Sequence, residues 1–176
     1  GEVTGSGNGI AGLVGANYGS VQNSYSKANI TGDQYVGGLI GGNVEGGSVS
    51  NSYSTGSVNG NDYVGGFIAV NQNGTVTNSF WDTETSGIET SAGGTGKTTA
   101  ELQKVETFTN AGWDFVEETE NGTDDHWAIN SDKNEGYPIL QGLQSESPTE
   151  PDAPDENNAP TSEESSITIK QGASYN

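Results

Sequence analysis

The chain has 176 residues, of which 29% are hydrophobic and 28 are glycine, and it contains neither cysteine nor methionine. A large globular core, a disulfide framework, a thiolate metal site and a cysteine nucleophile are thereby excluded. Its 24 acidic residues face five lysines and no arginine, for a formal net charge of −19. That charge repels phosphate backbones and anionic membrane surfaces, so nucleic acid is not an expected partner. No apolar run approaches membrane-spanning length, and membrane insertion is not expected either.

Internal repetition dominates residues 1–80. Ile10-Ala-Gly-Leu-Val-Gly-Ala-Asn17, Val36-Gly-Gly-Leu-Ile-Gly-Gly-Asn43 and Val64-Gly-Gly-Phe-Ile-Ala-Val-Asn71 align, each followed by a second block: Val21–Tyr25, Val49–Tyr53 and Val76–Phe80. Val3-Thr4-Gly5 matches the repeat endings Ile30-Thr31-Gly32 and Val58-Asn59-Gly60, from which a longer polypeptide on this side is expected. Glycine, β-branched residues and short alternating runs predict strands and turns, one repeat per coil. The fold class expected is all-β: a parallel β-helix, or β-solenoid, of three coils over residues 1–80.

Strand alternation puts Val49, Asn51 and Tyr53 on one face and Ser50, Ser52 and Ser54 on the other. Coils stacked at about 4.8 Å per strand make Val21/Val49/Val76 and Tyr25/Tyr53/Phe80 interior ladders. Asn17/Asn43/Asn71 and Asn23/Asn51/Asn78 become ladders of coil-to-coil amide hydrogen bonds, and Ser24/Ser52/Ser79 a hydrophilic outer row. In the first block Leu39 has the opposite parity to Val36 and Ile40, which predicts a bend at Gly37-Gly38.

The pattern changes after Trp81. Residues 82–97 read as a Thr/Ser/Gly loop, and Thr98-Thr-Ala-Glu101 as a capping box opening one short helix through Leu102, Val105 and Phe108. Trp113-Asp-Phe115, Trp127-Ala-Ile129 and Tyr137-Pro-Ile-Leu140 follow, so residues 81–143 are expected to form an irregular, aromatic-rich cap on the open solenoid end. Residues 144–165, almost without apolar side chains, read as an acidic Pro/Ser/Thr linker. Residues 166–176 open with the alternating Ser166–Lys170 and read as the start of a following strand or module.

Val36-Gly-Gly-Leu-Ile-Gly-Gly-Asn43 and Asn51-Ser-Tyr-Ser-Thr-Gly56 closely resemble the GLUG motif of bacterial and archaeal surface proteins, in three copies over residues 9–80. Phe80–Gly87, Gly93–Leu102, Trp113–Phe115 and Gly136–Leu140 resemble the segment that trails such repeats. The resemblance implies a large secreted or wall-attached protein, often adhesin-like, with the repeats as a β-helical stalk; it implies no ligand. Metallopeptidases that carry the motif also have a zinc-binding His-Glu-x-x-His, whereas His126 is the single histidine here.

Candidate chemistry is sparse. Gly93–Thr98 looks like a phosphate loop but has Ser91 where that loop needs its first glycine. Asp82 with Glu84, or Asp124 with Asp125, are the carboxylate pairs a glycosidase would use, and both read more simply as solvated turns. No cofactor is expected. Calcium is the alternative, with Asp114, Asp124, Asp125 and Asp132 as weak oxygen donors in a loop-rich stretch. Trp113, Trp127 and Tyr137, with Trp81, would serve either as a glycan-stacking platform or as a plug. Asn29, Asn73 and Asn121 stand in glycosylation sequons. The reading is a non-enzymatic, extracellular structural or adhesive module of a larger surface protein. Its partners would be other surface modules, copies of itself, glycans or host matrix. The alternatives are a carbohydrate-binding module and a filament subunit joined by strand-edge pairing.

Overall fold

The computed structural model describes residues 1–141; the linker read at 144–165 and the strand or module at 166–176 lie outside the described residues. Residues 2–82 form three successive coils of five short strands each. The first coil holds β1 (Glu2–Thr4), β2 (Asn8–Ala11), β3 (Val14–Asn17), β4 (Ser20–Gln22) and β5 (Tyr25–Ser26). The second holds β6 (Asn29–Thr31), β7 (Gln34–Gly37), β8 (Ile40–Val44), β9 (Ser48–Ser50) and β10 (Tyr53–Ser54). The third holds β11 (Val58–Asn59), β12 (Asp62–Gly65), β13 (Ile68–Gln72), β14 (Thr75–Thr77) and β15 (Phe80–Asp82). Each strand pairs in parallel with its counterparts in the adjacent coils. The protein is a parallel β-solenoid, and its backbone hydrogen bonds run between coils because strands this short cannot satisfy themselves.

Register fixes the interior. Val21, Val49 and Val76 are direct partners, as are Val14, Ile40 and Ile68. With Leu39, Phe67 and Trp81 they form one apolar cluster. Ile30, Val36 and Val58, with Val3, Ile10 and Val64, form a second. The chain bends between β7 and β8, at Gly38-Leu39, so that Val36, Leu39 and Ile40 are all buried despite their parity.

One asparagine column is an amide ladder. Asn17 Nδ2 donates to Asn43 Oδ1 at 2.8 Å, and Asn43 Nδ2 donates to Asn71 Oδ1 at 3.0 Å. Gly47 and Gly74 make room for it, since a Cβ at either would strike the Asn43 amide. The other column does different work. Asn23, Asn51 and Asn78 have φ of 46°, 46° and 45°, the left-handed conformation that asparagine tolerates best among residues with a Cβ. Their side chains form no such chain, and Oδ1 of Asn23 and of Asn51 is buried without a hydrogen-bond partner. They are corner residues that turn β4, β9 and β14 into β5, β10 and β15.

That corner corrects two further expectations. The chain reverses its parity at the left-handed residue, so Ser52 and Ser79 are buried and Ser24 is half-buried; they form no outer row. Ser24 N–H donates to Ser52 Oγ at 3.2 Å and Ser52 N–H to Ser79 Oγ at 3.3 Å, which satisfies corner amides that no strand reaches. Beyond the corner, Ser54 and Trp81 point into the solenoid, where Ser54 Oγ donates to Gly66 O and Trp81 joins the interior cluster. Tyr25, Tyr53 and Phe80 stay in register, yet they face outward.

Substituting Asn51 separates the two asparagine roles. Asn51→Gly is expected to leave stability nearly unchanged, whereas Asn51→Ala costs about 1–2 kcal/mol for a left-handed alanine. Asn43→Ala strands both neighbouring amides and is expected to cost about 2 kcal/mol or more. Urea unfolding of the three variants measures all of this.

Candidate functional site

The strand β15 runs directly into α1 (Thr83–Ser86), and the chain then lays part of a further coil on the third one. Thr90, Ser91 and Ala92 hydrogen-bond the edge at Gly66–Ile68, and β16 (Thr95–Lys97) pairs with β15. So 82–97 is an ordered cover where a loop was expected. Next come α2 (Thr99–Leu102) and α3 (Val105–Thr109), two short helices in place of one. The Thr98/Glu101 capping box is present, and Thr98's backbone N–H together with Lys97 holds the Glu101 carboxyl down to about 2. An antiparallel pair, β17 (Trp127–Ala128) and β18 (Ile139–Leu140), completes the cap.

The aromatic part of this cap lies along the solenoid flank. Tyr53 and Phe80, with Tyr25 at the margin, project from β5, β10 and β15 into a cluster with Leu102, Phe108, Trp113, Phe115, Trp127 and Tyr137. Tyr25 stacks on Tyr53 at 5.2 Å, Tyr53 on Tyr137 at 6.2 Å, and Trp113 meets Trp127 at 4.7 Å. Trp113 and Trp127 are fully buried and Tyr137 nearly so. They therefore cannot be the glycan platform; they are the second core. Trp113 Nε1 donates to Asn78 O at 2.7 Å, which fastens the cluster to a corner of the third coil.

Asp82 is the hub of the attachment. It is wholly buried, and Oδ1 caps α1 by accepting from the N–H groups of Glu84 and Thr85. Oδ2 accepts from Thr99 Oγ1 at 2.7 Å and from Tyr137 O–H at 2.6 Å. Glu84 Oε2 accepts from Thr99 N–H, so this carboxylate pair cross-links α1, α2 and the solenoid. Tyr53 O–H donates to Pro138 O at 2.6 Å and accepts from Asn134 Nδ2 at 2.9 Å. Burial pushes the Tyr53 hydroxyl far above its ordinary pKa. Burial, reinforced by the Asp82 acceptor, pushes Tyr137 up to about 12.

The other candidates separate. Gly93–Thr98 contains a strand, and Lys97 Nζ sits 3.1 Å from Glu101 Oε1. Asp114, Asp124 and His126 bring one ligand atom each within 4.8 Å of one another; Asp125 and Asp132 are not in that group, and a set that includes imidazole departs from calcium's all-oxygen shell. Asp114 Oδ2 accepts from Asp124 N–H at 2.9 Å. Of the sequon residues, Asn29 and Asn73 are exposed, whereas Asn121 Nδ2 is committed to Thr109 O.

A feature missed in the sequence lies on the opposite side of β7. Tyr35 and Tyr63 occupy equivalent places in β7 and β12, with φ of 56° and 53°, and their rings stack at 4.9 Å with 15° between planes. Tyr63 is 62% exposed. The two rings wall a cleft of about 450 Å³ over β2, β3, β8 and β13. A tyrosine recurring just before each Val-Gly-Gly was the available signal.

Residues 32–59 match the GLUG motif, which here spans one complete coil, from the turn after β6 to the end of β11. The chain carries a GLUG repeat. The flanking coils continue the GLUG register strand for strand. The chain is also 34% identical over 126 residues to a protein of Evansella cellulosilytica that bears the name Gly-rich membrane protein. The match covers 70% of this chain and 11% of that protein. No solved structure matches the chain.

The Asp82–Tyr137 link has an alkaline signature. A raised tyrosine pKa favours the folded state fully below the unfolded value near 10, and that contribution is lost as pH rises through about 12. Urea midpoints are expected to fall steadily above pH 10, and Tyr137→Phe to lower stability by about 1.5–3 kcal/mol at pH 7 while flattening the alkaline decline.

Proposed function

We propose that this GLUG-repeat chain is a non-enzymatic structural and adhesive module of a larger extracellular surface protein. The observation that carries the reading is that its conspicuous chemical groups serve construction. Asp82 joins solenoid to cap, the buried amides tie coil to coil, and the buried tryptophans form a core. What remains on the outside is an extended, hydrophilic, strongly acidic surface, suited to spacing and to display. The match to a Gly-rich membrane protein, of which this chain spans 11%, supports a place in a long surface polypeptide. Among the described residues no helix is long and apolar enough to cross a membrane, so attachment would come from elsewhere in such a polypeptide.

A second reading is end-to-end assembly of copies. The outer edges of β1 to β5 pair with no strand among the described residues, and Leu13, which begins the Leu39/Phe67 column, is 49% exposed. Such an edge templates strand addition. Sedimentation velocity over a hundredfold concentration range tests it; a monomer throughout rejects it.

Surface shaving tests the main reading. Intact cells of the source organism, treated briefly with a glutamate-specific protease, should release peptides from residues 1–141 before any cytoplasmic marker appears. Release only after lysis would overturn the placement, and turnover of any substrate in a glycosidase, lyase or peptidase panel would overturn the non-enzymatic assignment.

A further inference from the structure

The Tyr35/Tyr63 column stops one ring short. Asn8 pairs with Gln34 and Gln34 with Asp62, while Ile10 pairs with Val36 and Val36 with Val64. Gly9, Tyr35 and Tyr63 are therefore successive members of one column. All three share the left-handed conformation, with φ of 76°, 56° and 53°. The second and third coils carry stacked rings there, and the first carries a hydrogen atom. The column leaves the Tyr35 face toward the first coil without a ring from residue 9, at the edge of a floor made by Gly9, Gly15, Ala16 and Gly42.

A left-handed backbone is costly for a bulky side chain, and such conformations gather where function holds them. Two consecutive coils accept that cost to hold a tyrosine, and in the third coil the ring is largely in water. A core role does not explain it. The polar groups around the cleft, apart from the tyrosine hydroxyls, are the amides of Asn8 and Gln72, and no carboxylate lines it although the chain carries a net charge of −19. The cleft is uncharged, flat-walled and rimmed by groups that both donate and accept hydrogen bonds.

We propose that this cleft binds a neutral glycan, with one pyranose ring seated over Gly9 against the free face of Tyr35 as the next layer of the stack. A pyranose presents an apolar C–H face to the aromatic wall and hydroxyls to Asn8 at its own level, while Gln72, two coils away on β13, would meet the next sugar of the glycan. Its thickness suits a column spaced at 4.9 Å. Uronates and sulfated glycans are disfavoured by the surrounding charge. The inference goes beyond the structural role and does not depend on it.

Titration calorimetry of the full chain against neutral β-glucan, mannan and galactan oligosaccharides, with polygalacturonate as the charged comparison, tests it. At least one neutral oligosaccharide should bind. Tyr35→Ala should weaken it about tenfold or more, and Gly9→Tyr, which fills the vacant layer with a third ring, should abolish it. Circular dichroism and urea midpoints establish that each variant is folded; should Gly9→Tyr not fold, Tyr35→Ala and Tyr63→Ala together decide the matter. Absence of binding to every neutral oligosaccharide, binding unaffected by the folded variants, or preference for polygalacturonate would overturn the proposal. So would a monomer–dimer equilibrium abolished by Tyr63→Ala with no glycan bound, which would make this face an interface between copies.

Discussion

Parallel, in-register stacking of one coil on the next is the constraint on which the rest of the molecule depends. Its strands are two to five residues long and gain nothing alone; where coil meets coil, backbone amides are satisfied by neighbours one coil away. The same geometry makes every side chain's environment a repetition of itself. Valine meets valine, and the Asn17, Asn43 and Asn71 amides hand hydrogen bonds along the axis. A polar group placed inside is tolerable because its counterpart arrives at the right height to receive it.

With so few apolar residues, the interior of the coils is thin, and much of the aromatic mass is invested outside them. Tyr25, Tyr53 and Phe80 lie on the reverse of the strands that carry Ser26, Ser54 and Trp81 inward, so one three-layered ribbon serves two cores. Asp82 stands where the last strand of the third coil leaves the solenoid, and its four accepted hydrogen bonds come from α1, from α2 and from Tyr137 ahead of β18. Such a carboxylate is stabilising because each lone pair is met; the same group with partners removed would be a buried, unsolvated charge.

Repeat period, parallel coil architecture and the partnership of Val21, Val49 and Val76 were legible in the sequence because they follow from self-similarity. What was not legible follows from one backbone angle. Strand alternation was carried straight through Asn23, Asn51 and Asn78, whereas a left-handed residue at each place reverses the faces beyond it. Tyr53 consequently goes out to Trp127 and Pro138, and Ser52 goes in. Asparagine occurs both in amide ladders and at left-handed corners, and the one-letter pattern does not separate the two. The burial of Trp113, Trp127 and Tyr137 was foreseen as one of two options, but their place along the flank depends on Tyr25, Tyr53 and Phe80 pointing outward. The Tyr35/Tyr63 pair escaped notice because it repeats in only two coils, with Gly9 breaking the series.

The flank position of the aromatic cluster determines how the solenoid responds to being pulled. A stack joined solely by edge hydrogen bonds can peel open one coil at a time from either terminus, each step small. Here the second and third coils share the aromatic core through Tyr53 and Phe80, and Asp82 ties the third to the cap. The first meets that core only at the half-buried Tyr25 and is otherwise held by its hydrogen bonds to the second and by Val3, Ile10, Val14 and Val21 packed on the interior. Tension would therefore part the first coil from the second more readily than it parts the second from the third, whose common aromatic core makes them resist as a single unit.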